Sequence, residues 1–160
     1  MIDLSLKENL VSILKDKKYK LAACESCTGG MFISSLIDIS GTSDIIDESY
    51  ITYSNEAKSR LLGVSTNTLE TYGAVSYETA YEMVEGLYNR CGANVTVSIT
   101  GIAGPLGGTT DKPVGLCYIG YDIEGTILVE KINNTGSRVE IREKTVIHCM
   151  NKLINLLEEK

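Results

Sequence analysis

The hydrophobic positions of this chain switch repeatedly between a helical and an extended period, and the switches divide it into alternating helices and strands. Leu6, Leu10, Ile13 and Leu14 share one face of a helix predicted over about Ser5 to Lys15. The short apolar run Leu21 to Cys24 then reads as a buried strand. After a polar interval, Ile33, Leu36 and Ile37 mark a second helix that packs on a sheet and ends near Asp38, ahead of the turn-forming Ser40-Gly41-Thr42-Ser43. Alternation resumes from Ile45 to Tyr53, a second strand. The following residues turn into a short helix that closes at Gly63. Ser76 suits the N-cap of a longer helix with the stripe Ala80, Met83, Val84, Leu87 and Cys91, ending at Gly92. Asn94 to Thr100 is a buried strand through Val95, Val97 and Ile99. Leu116 to Asp122 and Thr126 to Asn133 flank Ile123-Glu124-Gly125 as a hairpin. Ser137-Arg138-Val139-Glu140 fits a capping box opening a last helix whose stripe is Val139, Val146, Met150, Leu153 and Leu157. Strands separated by helices, followed by a hairpin, predict an α/β fold with a mixed sheet, built as a single domain over residues 1–160.

Composition supports that reading and removes several functions. A chain of 160 residues with 43% apolar and 22% charged positions can bury a real core without staples. No stretch has the length of a membrane span, and the mixed-charge start does not resemble a signal peptide, so a cytoplasmic location and no membrane partner are expected. A net charge of −6 argues against a nucleic-acid partner, because phosphate-backbone affinity comes from clustered Lys and Arg. An anionic small molecule would need a local positive site, and the available arginines are Arg60, Arg90, Arg138 and Arg142. Cys24, Cys27, Cys91, Cys117 and Cys149 are odd in number and widely spread, a poor disulfide framework. Cys24-Glu25-Ser26-Cys27 has the C-x-x-C spacing of a redox motif, yet Cys24 reads as the last strand residue and the second cysteine pair of a zinc site is missing. No metal is expected.

Chemistry concentrates at the junction of the first strand and its helix, Glu25-Ser26-Cys27-Thr28-Gly29-Gly30. A strand end feeding a helix N-terminus leaves backbone N–H groups unpaired, which suits an anion or a developing oxyanion. Ser26 sits where a nucleophile would meet such donors at Thr28 to Gly30. A second reading makes Thr28 a plain N-cap and the two glycines a packing device. Lys58, three and four residues before Leu61 and Leu62, projects from the apolar side of its helix, where it either snorkels to water or has a task. His148 lies with Lys144, Asn151 and Asn155 on the polar face of the last helix, so a Ser-His-Asp triad is not expected. Lys58 is the natural base for Ser26, given a depression of about three units from its ordinary pKa of ~10.4. Tyr53, at the end of the second strand, is placed to relay a proton or orient the amine. Arg142 falls on the inward line of the last helix, and two arginines near that helix start oppose its dipole. Either an anion or a structural ion pair would account for them. The loop Gly101 to Pro113, rich in glycine and straight after a central strand, is a further ligand-binding candidate. It lacks the lysine of a P-loop and the full dinucleotide fingerprint.

Taken together, Glu25-Ser26-Cys27-Thr28-Gly29-Gly30, Thr52-Tyr53-Ser54-Asn55-Glu56-Ala57-Lys58, Gly73-Ala74-Val75-Ser76, Thr100-Gly101-Ile102-Ala103-Gly104-Pro105 and Lys112-Pro113-Val114-Gly115 resemble the CinA C-terminal domain, the stand-alone nicotinamide-nucleotide amidases. The resemblance runs from the elbow to the last helix. It implies a three-layer α/β/α sandwich that hydrolyses the carboxamide of nicotinamide mononucleotide to nicotinate mononucleotide and ammonia, in pyridine-nucleotide salvage. Ser26 would be the nucleophile, Lys58 the base and Tyr53 its helper. Glu25, Thr28, Gly29, Gly30, Asn55, Thr100, Gly101, Gly104, Gly107, Gly108, Arg138 and Arg142 would bind the nucleotide substrate. The resemblance implies no cofactor, and a homo-oligomer. A nucleotide-binding or regulatory module of the same fold without turnover is the alternative. Leu106 departs from the small or polar residue more usual in that loop, and Cys24 from a small residue. The nucleotide pyrophosphate hydrolysis linked to the other domain of longer CinA proteins is not expected.

Overall fold

The computed structural model describes residues 1–160. Six helices and five strands follow in the order α1 (Leu4–Lys17), β1 (Leu21–Glu25), α2 (Met31–Leu36), β2 (Ile46–Ile51), α3 (Asn55–Leu62), α4 (Thr66–Tyr72), α5 (Tyr77–Cys91), β3 (Val95–Gly101), β4 (Leu116–Ile123), β5 (Thr126–Asn133) and α6 (Arg138–Glu158). The strands form one sheet in the order β2-β1-β3-β4-β5. β1 runs parallel to β2 and β3, while β4 is antiparallel to both its neighbours, β3 and β5, so the sheet is mixed.

Side-chain alternation along the central strands builds the layers. Leu21 and Ala23 of β1 join Val95, Val97 and Ile99 of β3 in a core that takes Leu10 and Leu14 from α1, Phe32 and Leu36 from α2, and Val146, Met150 and Leu153 from α6. Ala22 and Cys24 face the other way, into a smaller core with Leu62 of α3, Leu69 of α4 and Met83 and Leu87 of α5. β1 is therefore buried on both faces, which is why its sequence is a continuous apolar run rather than an alternating one. The result is a three-layer α/β/α sandwich. No helix is long and apolar enough to cross a membrane.

The elements depart from the sequence expectations in places. β1 continues through Glu25, one residue beyond Cys24, and β2 ends at Ile51, leaving Thr52 and Tyr53 in the connection. α4 has no counterpart in the sequence reading. Val139 is exposed in the first turn of α6, and the helix first reaches the core at Ile141. The capping box at Ser137 is present: its hydroxyl accepts from Glu140 N–H, and the Glu140 carboxylate accepts from Ser137 N–H.

Two features of this frame position the site. The parallel strands β1, β2 and β3 all end at the same edge of the sheet, so the elbow after β1, Tyr53 after β2 and the glycine loop after β3 meet there. Gly86 of α5 lets α3 lie against it, since a Cβ at that position would sit 1.8 Å from Leu62 O.

Candidate active site

The elbow is held by Glu25. Its carboxylate is fully buried and accepts four hydrogen bonds, from Thr28 Oγ1 at 2.6 Å and from the N–H groups of Gly30, Phe32 and Ile33, each at 3.1 Å. Glu25 thereby caps α2. The N-cap position itself is Gly30, with no side-chain bond of its own, so Thr28 is not the cap. Ser26 N–H donates to Ile99 O of β3 at 2.9 Å, and Gly29 N–H returns to Ser26 O at 3.0 Å. From α6, the Arg142 guanidinium closes the turn by donating to Cys27 O at 3.0 Å and Thr28 O at 2.8 Å.

These bonds decide which backbone donors remain. Gly29 and Gly30 N–H are engaged, whereas Cys27 and Thr28 N–H, next to the Ser26 side chain in sequence, make no hydrogen bond within the chain. The free pair is thus displaced toward Ser26 from the expected Thr28 to Gly30. The carbonyl of the peptide that carries Thr28 N–H is the one bound by Arg142 Nε, an arrangement that fixes the peptide plane and polarises its N–H.

Lys58 is only 1% exposed and has no carboxylate partner. Its Nζ lies 3.1 Å from Ser26 Oγ, 2.9 Å from Thr52 O and 3.2 Å from Tyr53 O. Burial holds its pKa below the usual lysine value, against a smaller upward pull from Cys27 and Cys24. A neutral amine has two N–H groups and one lone pair. The two carbonyls accept the former, and Ser26 O–H is the donor left for the latter. Tyr53 thus reaches the amine through its main chain. Its phenol is exposed and accepts instead from Arg138 Nη2 at 3.0 Å, so the ring hydroxyl neither orients Lys58 nor relays its proton in this geometry.

A cavity of about 270 Å³ opens beside this pair. Of the residues expected at the site, Ser26, Lys58, Tyr53, Thr100, Gly101, Gly104, Gly107 and Arg138 line it. Glu25, Thr28, Gly29, Gly30, Asn55, Gly108 and Arg142 do not. Glu25, Thr28 and Arg142 have other work in the elbow, and Asn55 is exposed in the first turn of α3. The two arginines are thereby separated: Arg142 serves the backbone behind Ser26, and Arg138 reaches the cavity, where it also donates to Gly104 O at 2.7 Å. Ala74 and Val75 form a wall that the site residues named from sequence omit. Their signal was the Gly73-Ala74-Val75-Ser76 motif itself, tied to β3 by Thr100 Oγ1, which donates to Ala74 O at 2.7 Å.

All five cysteines are free. Cys24 and Cys27 belong to cores on opposite faces of the sheet. Burial, with the neighbouring Glu25 charge, pushes the Cys24 thiol up, and a hydrogen bond with Cys117 followed by burial does the same for Cys27. His148 pairs with Glu130 at 3.0 Å on the far end of the sheet and does not line the cavity.

Relatives carry the same domain. A competence-damage inducible protein of Clostridium acetobutylicum is 49% identical over 144 residues, 90% of this chain and 35% of that protein. The chain spans about a third of the curated relatives it matches, such as that protein at 35% of its length and one of Thermoanaerobacter sp., 46% identical over 91% of this chain, also at 35%. Among solved structures, a competence/damage inducible protein of Agrobacterium tumefaciens superposes with a TM-score of 0.92 at 37% identity, covering 98% of both chains. With residues 3–157 matching the family model of the CinA C-terminal domain, the chain belongs to the CinA C-terminal domain family.

Proposed function

We propose that this protein is an amidohydrolase that converts nicotinamide mononucleotide to nicotinate mononucleotide and ammonia through an acyl-enzyme on Ser26. The observation that carries the reading is the buried Lys58 amine, without a carboxylate partner, 3.1 Å from Ser26 Oγ. Lys58 takes the Ser26 proton as Oγ attacks the carboxamide carbon. Negative charge on the carbonyl oxygen is received by Cys27 and Thr28 N–H. The Lys58 ammonium then delivers its proton to the departing nitrogen, ammonia leaves and the ester remains on Ser26. Lys58 next removes a proton from water, which attacks the ester, and Ser26 regains its proton from Lys58. Thr100 and the Gly101, Gly104 and Gly107 backbone would face the ribose, and Arg138 the phosphate. The reaction needs no cofactor or metal. We place it in the cytoplasm, in pyridine-nucleotide salvage, with a homo-oligomer as the expected assembly.

Purified protein incubated with nicotinamide mononucleotide is expected to release ammonia, and Ser26→Ala to abolish release without loss of fold. Undiminished release from Ser26→Ala removes Ser26 from the mechanism. Tight binding by calorimetry without any ammonia identifies a binding module instead.

A further inference from the structure

We propose that Lys112 is a positioning residue, latching the glycine-rich loop to the C-terminal end of α4 and so fixing the separation of two cavity walls. This inference rests on the amidase reading for its substrate.

The loop is closed at its base, where Ile102 N–H donates to Leu116 O at 2.9 Å and Gly115 N–H to Ile102 O at 2.7 Å. It is pinched again near its far end by Thr109 N–H on Lys112 O at 2.8 Å and Lys112 N–H on Thr109 Oγ1 at 3.0 Å. Between the two closures runs the segment from Ala103 to Gly107, which lines the cavity. Arg138 holds this segment from one side at Gly104 O. On the other side the Lys112 ammonium donates to Tyr72 O, the single hydrogen bond between the loop and α4.

Tyr72 is the last residue of α4, and its carbonyl belongs to the negative end of a helix that has no basic residue in its own last turn. Lys112 supplies that cation from a distant part of the chain. Gly73 makes room for it: the residue has φ +82°, and a Cβ there would lie 3.1 Å from Lys112 Nζ. One residue further on begins the Ala74–Val75 wall. Thr100 secures this wall to β3, so the strand fixes its near side and Lys112 fixes its distance from the loop. Lys112 bonds Thr109 and Tyr72 and touches neither Ser26, Lys58 nor the elbow backbone, so its effect belongs to substrate binding rather than to the chemical step.

The test compares the full chain carrying Lys112→Met, Lys112→Arg or Gly73→Ala with wild type, using nicotinamide mononucleotide. Lys112→Met and Gly73→Ala are expected to raise KM about tenfold, the scale of one charge-assisted hydrogen bond, with kcat within about twofold. Lys112→Arg, which still donates to Tyr72 O, is expected to restore most of KM. Amide hydrogen exchange gives a readout independent of turnover. Exchange over Ala103 to Gly108 is expected to quicken about tenfold in Lys112→Met while β3 and β4 stay at wild-type rates. Wild-type loop exchange in both Lys112→Met and Gly73→Ala overturns the latch, as does a fall in kcat at unchanged KM. A wild-type protein that releases no ammonia refutes the amidase reading, and the exchange comparison still decides the latch.

Discussion

Lys58 Nζ and Ser26 Oγ, 32 residues apart in sequence, lie 3.1 Å from one another in a buried pocket where two backbone carbonyls occupy the remaining directions around the amine. The same three contacts satisfy either protonation state. A charged amine donates to all three oxygens, and a neutral one donates to two and accepts from Ser26. Because burial lowers the folded pKa below 10.5, the neutral form becomes available at lower pH than for a free lysine. The kcat/KM profile is expected to rise with pH to a midpoint below 10.5. Lys58→Met is expected to lose that limb and about 10²- to 10⁴-fold in rate. The sign for stability follows from the same shift: between the folded and unfolded pKa values the unfolded chain binds more protons, so the Lys58 contribution increases with pH across that window. Denaturant titrations of wild type and Lys58→Met at stepped pH check it.

Glu25 acts on the fold before it acts on the site. Glu25→Ala leaves Gly30, Phe32 and Ile33 N–H and the Thr28 hydroxyl without their acceptor in a buried place. Unsatisfied buried donors cost about 1–3 kcal/mol each, and relaxation recovers part of that, so a loss of about 3 kcal/mol or more is expected. Glu25→Gln keeps acceptor oxygen on one side only and should fall between. Urea unfolding of the three proteins measures the order.

Arg142 is expected to matter for kcat. Its two hydrogen bonds fix the carbonyls of Cys27 and Thr28, and the first of these peptides carries Thr28 N–H, one of the two free donors next to Ser26. Arg142→Met should lower kcat about 10²-fold with little change in KM, the scale of a small misplacement at a reacting centre. Arg142→Lys should not restore it, because a single ammonium cannot reproduce the planar fork across two carbonyls. Steady-state kinetics on folded variants distinguishes these outcomes.

Arg138 should behave in the opposite way. It faces the cavity and has a carbonyl and a phenol as partners but no carboxylate, leaving its charge available to an anion. Arg138→Ala is expected to raise KM for the mononucleotide about ten- to a hundredfold. The corresponding nucleoside, which lacks the phosphate, should bind wild type weakly and lose distinctly less on the substitution, keeping only the loss that comes from the Gly104 contact. Equal losses for both compounds would remove the phosphate from Arg138.

Cys27 neighbours the proposed nucleophile yet should be dispensable. Its thiol is pushed well above the ordinary value, so little thiolate forms near neutral pH. Cys27→Ser is expected to keep activity within about fivefold, and iodoacetamide at pH 7 to inactivate slowly if at all. Rapid inactivation that Cys27→Ser prevents would transfer the nucleophile to sulfur.

Sequence by itself determined the elements whose burial follows a local period, and the residue types able to carry the chemistry. Leu21 to Cys24 was legible as a continuous apolar run buried on both faces, the hairpin as two runs flanking Ile123-Glu124-Gly125, and the α5 stripe because it buries a face set by its own spacing. Lys58 was legible for the same reason, as a charge on the apolar side of a helix. α4 was not, being seven residues with little apolar periodicity and no side-chain cap at Ser65. What tertiary structure alone decided were the partners. Arg138 and Arg142 stand one turn apart on one helix, yet one meets Gly104 and the other meets Cys27, 115 residues away. Thr28 gave up its capping role to Glu25, the free N–H pair moved to Cys27 and Thr28, and Tyr53 turned its carbonyl rather than its phenol to Lys58. The physical reason is that hydrophobic burial is proportional to area and tolerant of direction, so it can be read from spacing. A hydrogen bond requires a particular donor and acceptor within about 3 Å, and the packing of distant segments sets which atoms meet.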